Sequence, residues 1–219
     1  LGQEFHGWGF TINDEIENLR AAQEHLKIVN LGATAIGTTV TAAPGYPELA
    51  VKNLAELTGI DFKNSEDLIA ATSDCGAYMT LSSAIKGLAV KMTKVCNDIR
   101  LLASGPRCGL KEINLPQLQP GSSIMPGKVN PVAAEVANQA SFLAIGLDTT
   151  VMLAASAGQL ELNVMEPVIT FALYTQMKVM TNACDTLRTK LVEGVTANTE
   201  RCKDYVMNSI GIVTLLKPH

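Results

Sequence analysis

The sequence predicts an all-α fold, a bundle of long helices with short connections. Three observations predict it. Leu81, Ile85, Leu88, Met92, Val95, Ile99 and Leu102 alternate spacings of four and three, a heptad seam that only long helical neighbours can cover. Hydrophobic residues make up 47% of the chain and charged residues only 17%, so apolar surface beyond a private core is expected to pack against partner subunits. No stretch alternates with the period of a strand.

The first helix is expected from Gln3 to Asn30, with Ile12, Ile16, Leu19, Gln23 and Leu26 on its inner face. His6, His25 and Trp8 read as surface or packing residues rather than catalytic ones. Leu31 to Tyr46, rich in Gly, Thr and Ala, reads as irregular chain. Pro47 opens a shorter helix and Gly59 closes it. A short helix starts near Ser65, Glu66 and Asp67. The seam helix runs from about Asp74 to Ser104 and stops at Gly105-Pro106. A connector with Pro116 follows. The next helix begins at Pro131, its first face set by Val132, Val136, Gln139 and Leu143, with Gly146 a place for a kink. Another starts at Pro167 and carries Phe171, Tyr174, Met177, Cys184, Leu187 and Leu191 to Gly194. Asn198 caps a last short helix with Glu200 in its first turn.

The net charge of −4 speaks against a nucleic-acid partner. The most hydrophobic region, Ala140 to Leu160, contains Asp148, Gly146, Gly158 and several hydroxyls, which suits a buried bundle helix and not a membrane span. The five cysteines, Cys75, Cys96, Cys108, Cys184 and Cys202, are odd in number and lack metal-type spacing. A reduced, cytoplasmic setting is expected, with each cysteine a small buried hydrophobe. No cofactor or metal is expected.

The chemistry concentrates in Gly121-Ser122-Ser123-Ile124-Met125-Pro126-Gly127-Lys128-Val129-Asn130-Pro131. Pro120, Pro126 and Pro131 keep helix out of it, and Gly121 and Gly127 allow backbone angles closed to other residues. Asn130 is an N-cap candidate with Pro131 at the first helical position. Two hydroxyls, an amide and an ammonium beside a helix N-terminus suit a carboxylate or phosphate. A P-loop is excluded, because five residues separate the glycines and Val129 follows the lysine.

This segment resembles the signature of the fumarase/aspartase superfamily, and the likeness extends along essentially the whole chain. Leu31-Gly32-Ala33-Thr34-Ala35-Ile36-Gly37-Thr38, Thr72-Ser73-Asp74-Cys75-Gly76-Ala77-Tyr78 and Leu162-Asn163-Val164-Met165-Glu166-Pro167 support it, and the last two lean toward the aspartase branch. The resemblance implies reversible anti elimination of ammonia from L-aspartate to give fumarate. It makes Ser122 the general base and Ser123 a contact to the carboxylate beside the abstracted proton. Lys128 and Asn130 then bind the other carboxylate, Met125 lies near the substrate, and Glu135 supports the site from behind. Gly121 and Gly127 become the hinges of a closing loop. It further implies a homotetramer whose sites draw on several subunits, with some contributing segments lying before Leu1, so the chain reads as a fragment. Residues 1–197 fall in the central helical domain and 198–219 at the start of a small C-terminal domain. A class II fumarase or a non-catalytic homologue are the alternatives.

Overall fold

Seven α-helices, four two-residue strands and two 3-10 turns make up the described residues, 1–216, of this computed structural model. In order they are α1 (Gly2–His25), β1 (Ile28–Val29), α2 (Tyr46–Thr58), β2 (Lys63–Asn64), α3 (Leu68–Ser73), α4 (Gly76–Leu102), β3 (Ile113–Asn114), α5 (Val132–Ala155), α6 (Glu166–Lys190), β4 (Thr196–Ala197) and α7 (Thr199–Met207). The all-α bundle expected from the sequence is the fold. The strands only tie connectors together: β1 pairs with β2 in parallel, and β3 with β4 antiparallel.

Helices α1, α4, α5 and α6 form the bundle. Polar contacts fix their directions. Lys91 on α4 reaches both Thr11 O and the Glu15 carboxylate of α1. Asp148 on α5 meets Ser82 and Lys86 of α4, while Asn138 donates to Asn97 at the other end of the same pair. α5 therefore runs antiparallel to α4. Gln176 of α6 donates to Ala144 O, while Asn163, just before α6, donates to Ala154 O at the end of α5, so α6 is antiparallel to α5.

The buried stripe of α4 is Ser82, Ile85, Ala89, Met92, Cys96 and Ile99. Ile85, Met92 and Ile99 belong to the predicted seam, whereas Leu81, Leu88, Val95 and Leu102 sit half-buried at its edge. The small residues at the heptad positions between them let α5 approach closely, and α5 answers with Ala133, Ala134, Ala137, Ser141 and Ala144. The face predicted for α5 is thereby corrected. Val136 and Leu143 are exposed, because small side chains occupy the close contact and large ones are turned outward. The buried faces of α1 and α6 are also rotated from those predicted, though without the preference for small side chains: Trp8, Glu15 and Ala22 are buried and Ile16 is exposed on α1, and Ile169, Ala172, Leu173 and Gln176 are buried while Phe171 and Tyr174 are exposed on α6.

Element boundaries follow local chemistry. Gly59, in the left-handed conformation at φ 70°, ends α2 as predicted. Asp67, not Ser65, caps α3, its carboxylate accepting from Ile69 and Ala70 N–H. α1 stops at His25, short of Asn30, because Ile28 and Val29 leave for the strand pair with Lys63 and Asn64. α5 passes through Gly146 as one helix.

Candidate active site

The segment 121–131 forms a loop closed at its own neck. A Cβ on Gly121 would stand 1.8 Å from the Lys128 carbonyl oxygen, so only glycine permits this approach. Asn130 Nδ2 donates to Gly121 O at 2.9 Å, clasping the same neck from the other strand of the loop. Gly127 turns the tip at φ 71°, in the left-handed region. Such short loops with touching ends hold their shape by internal packing.

Inside it, Ser122 is half-buried, and its Oγ accepts hydrogen bonds from the backbone N–H of Ile124 at 3.2 Å and of Met125 at 3.1 Å. Hydrogen bonds donated to an oxygen stabilise its charged form over its neutral form. The loop thus aims two fixed dipoles at the one atom whose deprotonation would make a base. Lys128 is exposed and has no ion-pair partner among the described residues, so its charge is free for an anion. Ser123 and Met125 are exposed on the same loop.

Two expectations change here. Asn130 does not cap α5. Pro131 occupies the N-cap position without a side-chain hydrogen bond, and Asn130 spends one N–H on Gly121. An amide has a second N–H, which leaves Asn130 one donor for a ligand. Glu135 lies half-buried in the first turn of α5, where a negative charge complements the free N–H groups.

The supporting stretches lie elsewhere. Asn163 is buried and donates to Ala154 O at 3.0 Å, Ala155 O at 3.2 Å and Cys75 Sγ at 3.4 Å, while its Oδ1 accepts from Met165 N–H at 2.9 Å. It thereby joins the start of α4, the end of α5 and the start of α6. Gly37 packs so closely on α3 that a Cβ there would lie 2.3 Å from Ile69 Cα. Burial, with the Glu166 and Asp74 carboxylates, pushes the Cys75 thiol up, although Asn163 opposes this, so Cys75 is a neutral packing group. These stretches gather at the end of the bundle opposite the Ser122 loop. The 24 residues of α5 separate the two ends by about 36 Å. Loop residues 121–130 line none of five clefts found along the described residues.

Asp148 is a buried charge that the sequence signalled only as a lone charge in an uncharged run from Val136 to Leu160. It accepts from Ser82 Oγ at 2.8 Å, Ser83 Oγ at 3.3 Å and Lys86 Nζ at 2.5 Å. Its place in mid-bundle, away from the loop, makes it a register lock between α4 and α5. Among the described residues no group of three or more His, Cys, Asp or Glu side chains is placed to hold a metal ion, and no helix is long and apolar enough to cross a membrane.

Comparison with known proteins bears on this loop. The aspartate ammonia-lyase of Escherichia coli strain K12 is 59% identical to the chain over 218 residues, which span all of this chain and 46% of that protein. The chain therefore spans about half the length of the curated relatives it matches. A crystal structure of fumarate lyase:delta crystallin from Brucella melitensis bound to cobalt superposes with a TM-score of 0.96 at 44% identity, covering 100% of this chain and 47% of that one. The recombinant class II fumarase from Schistosoma mansoni does so with a TM-score of 0.93 at 32% identity, covering 100% and 49%. A family model described as Lyase matches residues 1–146, two thirds of the sequence, and the chain belongs to that lyase family.

Proposed function

We propose that the protein carrying this chain is an aspartate ammonia-lyase that converts L-aspartate reversibly to fumarate and ammonia, with Ser122 as general base. The observation that carries the reading is the pair of backbone N–H groups on Ser122 Oγ. In the elimination, Ser122, deprotonated at Oγ, takes a proton from the substrate's Cβ and becomes the neutral hydroxyl. The electron pair moves onto the adjacent carboxylate, giving a dianion that needs electrostatic stabilisation. The C–N bond then breaks, the pair forms the double bond, and ammonia leaves. Ser123 holds the carboxylate beside the abstracted proton. Lys128 and the free N–H of Asn130 hold the other. Met125 packs near the substrate, Glu135 supports the loop from α5, and Gly121 and Gly127 let the loop close over substrate and exclude water.

The site is completed by neighbouring copies in a homotetramer. The separation of about 36 Å between the loop and the other motif-bearing stretches supports this, as do the large apolar side chains on the outer faces of α5 and α6, among them Phe142, Leu153, Phe171 and Tyr174. The free thiols fit a cytoplasmic setting.

A class II fumarase would share the loop and the fold. The curated relatives favour ammonia release, with aspartate ammonia-lyases at 53–59% identity against 32% for the solved fumarase. The deciding experiment supplies L-aspartate in an ammonia assay and fumarate in a malate assay, side by side. Ammonia release without appreciable malate is expected, and malate formation without ammonia release would move the assignment to fumarase.

A further inference from the structure

Met-Thr-x-x-Cys occurs twice in the chain, at residues 92–96 on α4 and 180–184 on α6. A spacing of four puts both sulfurs of each pair on one helix face. The two faces meet. Cys184 Sγ lies 3.4 Å from Met92 Sδ across the interface, although the residues are 92 positions apart. Met92, Cys96 and Met180 are 3%, 0% and 3% exposed within one apolar cluster. Met180 and Cys184 also line an open cleft of about 540 Å³, walled by Leu19, Ile85, Leu88 and Arg188, which connects the sulfurs to solvent.

We propose that Met92, Cys96, Met180 and Cys184 form a binding site for a thiophilic monovalent cation, Cu(I). Thioether and thiolate sulfur are the soft ligands that select Cu(I) over harder ions. With metal–sulfur bonds of about 2.3 Å, a cation bound by both Met92 Sδ and Cys184 Sγ would see them at an angle of roughly 95°, so the two atoms need little movement to become ligands. Cys96, one turn from Met92, is the third donor, and Met180 closes the cluster beside Cys184. One Cu(I) and one thiolate sum to zero charge, which lowers the cost of burial in an apolar interface.

Binding is a substitution without electron transfer. The Cys184 S–H proton leaves to solvent, its sulfur bonds to the cation, and copper stays Cu(I). Burial pushes the Cys96 thiol up to about 12 and raises Cys184 as well. Cys184, at the cleft, is the one thiol that gives up its proton. Spacing along the sequence hides this group, because its two halves sit on different helices and half of its donors are methionines.

The test titrates the chain anaerobically with Cu(I) against a bicinchoninate competitor, in a Cys108→Ser/Cys202→Ser background that removes the other accessible thiols. The expected result is one Cu(I) per chain, one proton released per cation, a sulfur-only shell by X-ray absorption and a raised Tm. Met92→Leu and Cys184→Ser should each weaken binding by roughly 10–100-fold or more, on the scale of losing a supporting group at a metal site. No uptake from the competitor would overturn the proposal, as would unchanged affinity in a Met92→Leu/Cys184→Ser double variant with a native circular dichroism spectrum. If that variant does not fold, Met92→Leu alone decides, being close to volume-conserving in an apolar site. Unchanged affinity there, or oxygen and nitrogen neighbours around copper in the unsubstituted chain, overturns it equally.

Discussion

In the proposed mechanism, Ser122 and Lys128 divide the chemistry of the loop between a proton and a charge. The two N–H groups on Ser122 Oγ act on a single atom, so Ser122→Ala should remove turnover while leaving the neck and the fold intact. A general base contributes about 10²–10⁴-fold, and a loss under tenfold in ammonia release would take the role from Ser122. In the same proposal, Lys128 attracts a carboxylate in the ground state as well as in the transition state. Its removal should therefore raise KM as well as lower kcat, and an unchanged KM in Lys128→Ala would count against that contact. The residue types of the loop were legible in the sequence, and so was its exclusion from helix. The clasp between Asn130 and Gly121 was not, because an Asn before a Pro satisfies the usual N-cap pattern equally well and only the closed neck decides between them.

At the level of elements, the helices were legible in place and length, and less so in orientation. A heptad pattern marks large apolar residues, but close-packed helices bury small ones. On α5 the alanines face α4 while Val136, Phe142 and Leu143 face outward, and nothing in periodicity alone separates a core face from a subunit face. The α1–α4 contact shows a second kind of fit. Gly87 leaves room for the Glu15 carboxylate, whose Oε2 would lie 2.7 Å from a Cβ there, and Lys91 pairs with Glu15 at 2.5 Å. Burial raises the Glu15 carboxyl, yet the hydrogen bonds from Lys91 and Asn18 together with the Lys91 charge outweigh it and hold the group below its ordinary 4.5. A depressed carboxyl stabilises the fold fully above its unfolded value and loses that contribution as pH falls through its folded value. Glu15→Gln should accordingly cost about 1.5–3 kcal/mol at neutral pH, the worth of a hydrogen bond to a charged group. The difference from the unsubstituted chain should shrink as pH drops below 4.5. Denaturant titrations of both chains at neutral and acid pH check this, and a gap that stays constant would contradict the pairing.

Across the whole molecule, one geometric fact organises the account. The Ser122 loop stands at one end of α5, and the stretches around Cys75, Asn163 and Gly37 stand at the other, about 36 Å away. No bending of a well-packed bundle brings them together, whereas neighbouring copies packed along the exposed faces of α5 and α6 can set one copy's loop beside another copy's opposite end. Composition already hinted at such partners through its low charge content, but the sequence could not show which faces they cover. On the proposed reading, Ser122 works only inside an assembly. The direct measurement follows ammonia release from L-aspartate and mass by light scattering on the same samples, as the protein carrying this chain is diluted or weakened toward monomers with mild denaturant, helix content being monitored throughout. Specific activity should fall in step with the loss of the assembly while the helices remain folded. A folded monomer with the full specific activity of the assembly would contradict this.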